Sequence, residues 1–242
     1  MTYLTMKGFN KRTPPVNYLC FTAEADWTKI YFTKTSWWSS ATLEKSADKE
    51  TWEDRSGAAV TLNTWDKLYV RNKSETPTNF NQGTSYYAYF RITAWSASAS
   101  GDVTTLLCKN WTDTIKWNYC FYNLFNGCTR LTSAPSFPAT TLTNHCYDSM
   151  FYWCTNLTTL PKLPATTLKS SCYDYMFYNC SKIKLSTTQT WEYQTPYRIP
   201  ITWTWTVSSG TACAYMFGWT GWTFASAPSI NTTYYTSNTL VW

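Results

Sequence analysis

A chain of 242 residues, 14% charged and 19% aromatic with a formal charge of +6, is long enough to bury a sizeable core in one large domain or two small ones. Its lysines and arginines are scattered, and no basic run is interleaved with aromatics, which argues against nucleic-acid binding. No run approaches the roughly 20 apolar residues that span a bilayer, and Lys7, Lys11 and Arg12 are followed by no apolar segment, so neither membrane insertion nor a secretory leader is expected.

Residues 1–16 read as an N-terminal extension. From 17 to 95 the pattern alternates in strand fashion over Tyr18–Thr22, Lys29–Thr33, Ala41–Lys45, Ala59–Leu62, Lys67–Arg71 and Tyr86–Thr93, with turn-forming clusters between. Short strands so spaced predict a β-sandwich, loosely immunoglobulin-like, although no Cys-Trp-Cys arrangement supports an antibody-type domain. Trp52, in KETWE, is expected on a strand facing the core. Residues 96–104, rich in Ser, Ala and Gly, are expected to be a protease-accessible boundary.

Beyond it the chain repeats. Residues 120–145 read CFYNLFNGCTRLTSAPSFPATTLTNH, and 146–171 read CYDSMFYWCTNLTTLPKLPATTLKSS. A third copy, CYDYMFYNCSKIKL, opens at 172 and breaks off; a degenerate one returns at 213–233. The two full copies are offset by 26 residues without a gap, which brings Leu124, Met150 and Met176 into one column, Phe125, Phe151 and Phe177 into another, and Leu131, Leu157 and Ile183 into a third. Stacked repeats bury such columns as a continuous core that one repeat cannot form alone. CYxxMF predicts a short helical turn, and LTxxP an extended segment ended by its proline.

This pattern resembles the BspA-like leucine-rich repeats, in which an aromatic-x-x-Cys-x-x-Leu core recurs; the PATTL return is a variant associated with phage and gut-bacterial surface members. The fold class expected is therefore mainly β with short helical turns: an N-terminal β-sandwich over 17–95, then a leucine-rich-repeat-like solenoid over 96–242 with an inserted segment at 186–212 and a C-terminal cap at 213–242. The resemblance implies adhesion or recognition through a repeat surface.

Six of the nine cysteines form two ladders, 120/146/172 and 128/154/180. Close pairs such as Cys-x2-Cys are absent, so these read as buried thiols rather than metal ligands, and no cofactor is expected. The single histidine, His145, has Ser171 as its equivalent and reads as a surface residue. Asp148 and Asp174 repeat in register as a solvated edge or turn cap.

Tryptophan is anomalous: there are 15. Trp153 shares a column with Gly127 and Asn179, the residue types that accept a left-handed backbone. Trp27 and Trp65 occupy hairpin positions where Asp-Gly is expected, Trp37 and Trp38 a natural Gly-Gly turn, and Trp203, Trp205, Trp219 and Trp222 lie in segments that read like Gly-rich loops. The favoured reading is that most of these positions are glycine, one base separating the GGA codon from a recoded UGA. The competing reading is an exposed aromatic surface for carbohydrate or protein contact.

Function follows from these features. The sequence holds no phosphate loop and no Ser-His-Asp set, so a non-enzymatic protein is expected, displayed on a virion surface and binding a protein or glycan on the host, with virion proteins as further partners. The alternatives are a bacterial cell-surface adhesin and a purely structural virion component. Candidate ligand-binding residues are Tyr147, Tyr152, Tyr173, Tyr178, Asn156 and Lys182, which vary between repeats; Tyr147 and Tyr173 read equally as packing residues.

Overall fold

In the computed structural model, which describes residues 16–35, 42–55, 57–200, 206–207, 212–220, 228 and 232–242, the 26-residue interval becomes a spatial period. The amides of Phe121, Asn123, Phe125 and Gly127 donate to the carbonyls of Cys146, Asp148, Met150 and Tyr152, each 25 residues ahead. Tyr147, Ser149, Phe151 and Trp153 donate in the same way to Cys172, Asp174, Met176 and Tyr178. Tyr173, Tyr175, Phe177 and Asn179 then donate to Ala212, Ala214, Met216 and Gly218, so the next layer comes from residues 212–218, in register, and Thr206–Val207 pairs in parallel with Thr167–Leu168 of the second repeat.

The amides between them bond locally. Tyr122, Leu124, Asn126 and Cys128 each donate to the carbonyl three residues back. The expected helical turn is therefore a chain of tight turns, not an α-helix. Every fourth residue is left-handed, with positive φ at Tyr119, Asn123 and Gly127, at His145, Ser149 and Trp153, and at Ser171, Tyr175 and Asn179. A helix cannot continue through such residues, and the reversals leave every second amide facing the next layer. Among the described residues the chain is mainly β, with one four-residue 3-10 turn at Val103–Leu106 and no closed barrel.

Side chains follow the same period. Phe90, Phe125, Phe151, Phe177 and Phe217 stack with successive centroid separations of 5.7, 5.4, 5.5 and 5.4 Å. A second column runs Phe80, Phe121, Tyr147 and Tyr173 at 5.8, 5.6 and 5.9 Å. All of these rings are fully buried.

Both columns start in the N-terminal region. Its strands are β1 (Leu19–Ala23), β2 (Thr28–Lys34), β3 (Leu43–Ser46), β4 (Glu53–Asp54), β5 (Val60–Leu62), β6 (Lys67–Asn72), β7 (Ala88–Thr93) and β8 (Ala97–Ser100). They form two antiparallel sheets, ordered β4-β3-β6-β1-β8 and β5-β2-β7. Alternation on β1 and β2 turns Leu19, Phe21 and Ala23 and Ile30 and Phe32 inward, and the sheets meet where Phe21 and Phe90 approach to 5.0 Å.

The boundary expected at 96–104 is overturned. β8 lies inside that stretch, paired with β1 on one side and bonded on the other to the first repeat, where Ala97 bridges Leu131 and Asp102 bridges Ser136. Val103–Cys108 is buried as well, so no exposed linker separates 17–95 from the repeats. The reason is edge pairing: β8 has small side chains and free backbone groups on both edges, and it joins two ladders. Gly101 is required in this join, since at φ +77° a Cβ would overlap the Tyr18 carbonyl.

Trp52 is a second correction. It precedes β4 half-buried at the surface rather than in the core, its ring 3.6 Å from the Arg71 guanidinium and edge-on to Tyr18 at 4.9 Å. Arg71, itself buried and bonded to Glu44 at 3.0 Å, supplies the better partner for an indole than an aliphatic core would.

In the segment expected as an insert, Thr195–Tyr197 pairs with Tyr234–Thr236, which pairs in turn with Leu185–Ser186. Within the expected cap, residues 212–218 form the layer after Tyr173–Asn179, and the C-terminal strand Thr239–Val241 pairs in parallel with Thr159–Pro161 of the second repeat. Asn238 fixes it there, donating to the carbonyls of Thr158 and Lys182 at 2.8 and 2.9 Å and accepting from the Lys184 amide. Of the N-terminal extension only Val16 lies within the described residues.

Phe151 has a stacked ring on both sides and no exposed surface. Phe151→Ala is expected to destabilise the protein by about 3–5 kcal/mol in equilibrium denaturation, because the layers on either side cannot collapse into the gap without breaking register.

Candidate functional site

Of the six residues expected to meet a ligand, the structure removes two. Tyr147 and Tyr173 are wholly buried in the second aromatic column, and Tyr147 Oη has no hydrogen-bond partner among the described residues. They pack; they do not face a ligand. Phe121 holds the preceding place in that column, so the position demands a flat ring and not a hydroxyl.

The other four lie at or near the surface. Tyr152 and Tyr178 stack face to face at 5.0 Å, 3° from parallel. Asn156 is half-buried, and its Nδ2 donates to the Thr129 carbonyl one layer back at 2.7 Å. Lys182 is exposed, and its carbonyl is held by Asn238. Two residues that sequence reasoning missed join this face: Tyr175 lies 5.5 Å from Tyr178 and 5.1 Å from Tyr215. The signal was present, since Tyr175 aligns with Ser149 at a left-handed position whose side chain leaves the layer. The paired rings use one face on each other, so what this ridge offers outward is mainly ring edges and phenol hydroxyls.

A polar cluster sits beside it. His145 Nδ1 is 2.9 Å from Asp148 Oδ2, the imidazole stacks on Tyr119 at 4.5 Å, and Ser149 Oγ donates to the other carboxylate oxygen of Asp148. Asp148 is buried, which corrects its reading as a solvated edge. Burial raises its pKa, and burial together with the charge of Asp148 pushes Asp174 up to about 6. Asp102, buried at the N-terminus of the 3-10 turn, is likewise pushed up to about 6 by desolvation, against its bonds from Thr104. Desolvation of carboxylates is invisible in sequence because it depends on which layer covers them.

The cysteine ladder 128/154/180 is resolved in detail. All nine thiols are free and buried. Cys128, Cys154 and Cys180 Sγ donate to the carbonyls of Phe90, Phe125 and Phe151 at 2.9, 3.0 and 3.0 Å, each one layer back. The Phe125 carbonyl already accepts the Cys128 amide, so the thiol fills its second lone pair. A small buried donor is what the position needs. Burial pushes the thiols of Cys128 and Cys172 up to about 12, which suppresses the reactive thiolate.

Among the described residues, no group of three His, Cys, Asp or Glu is placed to hold a metal ion, and no helix is long and apolar enough to cross a membrane. Two open clefts lie among the described residues: one of about 780 Å³ beside Lys34, Arg55 and Lys73, and one of about 430 Å³ under Trp242, whose ring carries Lys162 Nζ at 3.5 Å. No protein-family model, curated protein or solved structure matches this chain.

Three measurements test the buried thiols and carboxylates. Thiol titration is expected to find no fast-reacting cysteine in the native protein and all nine after denaturation; Cys154→Ser should hold stability better than Cys154→Ala, which loses a buried bond worth about 1 kcal/mol. The raised carboxylates act in the opposite sense to the usual acid effect. Between the ordinary value of 3.8 and about 6 the folded state holds a proton at Asp174 that the unfolded state has lost, so this group's contribution falls as pH rises through that window. The melting point of the native protein should therefore drop, relative to Asp174→Asn, as pH is raised from 4 to 7.

Proposed function

We propose that the protein is a non-enzymatic recognition protein of the BspA-like leucine-rich-repeat kind, its repeats forming a solenoid and its N-terminal sheets an immunoglobulin-like β-sandwich that closes one end. On this reading it is displayed on a virion surface and contacts protein or glycan on the host. The observation that carries the proposal is the register of the layers. Backbone and aromatic columns repeat at a fixed interval, so side chains at equivalent positions form rows along an extended face, and two adjacent rows, Tyr152 with Tyr178 and Tyr175 with Tyr215, make a ridge of aromatic edges and hydroxyls. Rows suit broad contact made of weak repeated elements, whereas chemistry needs convergent groups in a closed, dry pocket.

Weak contacts of this kind gain strength through copy number. Purified protein coupled in many copies to a particle should bind host cells or a glycan array at least 100-fold more tightly than the monomer does. Tyr152→Ala together with Tyr178→Ala should reduce array binding with the melting point little changed. Turnover of a glycan or peptide, abolished by one carboxylate substitution, would overturn the reading.

A further inference from the structure

Four tryptophans stand where the backbone asks for glycine. Trp27, Trp65, Trp153 and Trp219 have φ of +64°, +71°, +63° and +56°, and they are 68%, 74%, 49% and 75% exposed. A left-handed conformation is routine for glycine and tolerated by asparagine; the other aromatic residues of the stack that adopt it, Tyr119 with His145 and Tyr175 with Tyr215, stack on each other at 4.5 and 5.1 Å. The local turns explain the angle. Asp66 donates to Asn63, Cys154 to Phe151 and Thr220 to Phe217, each closing a four-residue turn whose third residue is the tryptophan. A turn with positive φ at its third residue selects Gly or Asn. Equivalent positions in the stack obey that rule: Gly127 at +71° and Asn179 at +59° hold the same column as Trp153 and Trp219.

The rings supply nothing in return. None of the ten described tryptophans is buried, although indole is among the most buried of side chains on average. Among the described residues Trp153 has one neighbouring ring, Tyr152, at 6.4 Å, and no ring contact involves Trp27, Trp65 or Trp219. Nor do the rings of Trp153 and Trp219 line up as a platform, since Asn179 separates them in their column.

We infer that the natural polypeptide carries glycine at positions 27, 65, 153 and 219, encoded by UGA and inserted by a tRNA charged with glycine. Tryptophan is what the same codon yields under a different reading, and a single base separates UGA from the glycine codon GGA. On this inference the protein is made in a cell whose translation machinery assigns UGA to glycine. The inference is independent of the recognition reading. It alters the surface that reading relies on only by removing Trp153 and Trp219 and leaving the tyrosines.

The test is peptide sequencing by mass spectrometry on protein purified from the organism that carries the gene. Glycine is expected at all four positions; tryptophan at any of them overturns the inference for that codon. Recombinant variants give a second reading. Trp153→Gly and Trp65→Gly should each lower the unfolding equilibrium constant about tenfold, with alanine at either position giving much less, because alanine removes the ring but keeps the left-handed cost. Trp191→Gly serves as control, as Trp191 is exposed with no positive φ. Equal effects of Gly and Ala at Trp153 and Trp65 would refute the backbone argument.

Discussion

Five aromatic rings in a row, Phe90 to Phe217, fix the spacing on which everything else in this molecule depends. Near-parallel rings at about 5.5 Å are slightly farther apart than hydrogen-bonded strands, so the backbone ladders and the ring column can share one period with little strain. A shift of one residue in any layer would send a ring outward and a polar residue inward. Side-chain burial and backbone pairing therefore select the same register, and neither alone would hold it as firmly.

That register leaves a bookkeeping problem for the backbone, which the alternation of amides solves. Half of the amides in each layer close tight turns and the other half reach the next layer, so the polar groups of a non-helical segment are satisfied without a conventional strand. Left-handed residues at every fourth position are the consequence, and the thiols of Cys154 and Cys180 complete the scheme by occupying the second lone pair of carbonyls already in use. Repetition of cysteine is thus a hydrogen-bonding feature of the stack.

The end of a stack must be closed, since its outer layer would expose aromatic surface to water. Here the N-terminal sheets do this: Phe80 and Phe90 begin the two columns, and the Phe90 amide donates to Leu124 in the first layer. The two regions consequently share one core, and neither is finished without the other.

How much of this was legible depended on whether the cause was local. The 26-residue period, the Phe and Cys columns and most of the N-terminal strands follow from patterns of apolar residues, because burial of a periodic chain imposes the same period on composition. The left-handed positions of Trp27, Trp65 and Trp153 were legible too, since Gly and Asn mark such turns elsewhere in the chain. Other features were decided only by tertiary contact. β8 looks like a linker because Ala and Ser carry little pattern, and only its two neighbouring ladders make it a strand. Trp52 reads as core by composition and instead covers the buried guanidinium of Arg71, 19 residues away in sequence, with its own ring half-exposed. Tyr147 and Tyr173 could be buried or displayed on the evidence of spacing, and the neighbouring layers buried them. Asp148 and Asp174 owe their raised pKa to layers 26 residues apart. Local conformation and periodic burial are written in short stretches of sequence, whereas desolvation and edge pairing depend on which distant residues arrive alongside.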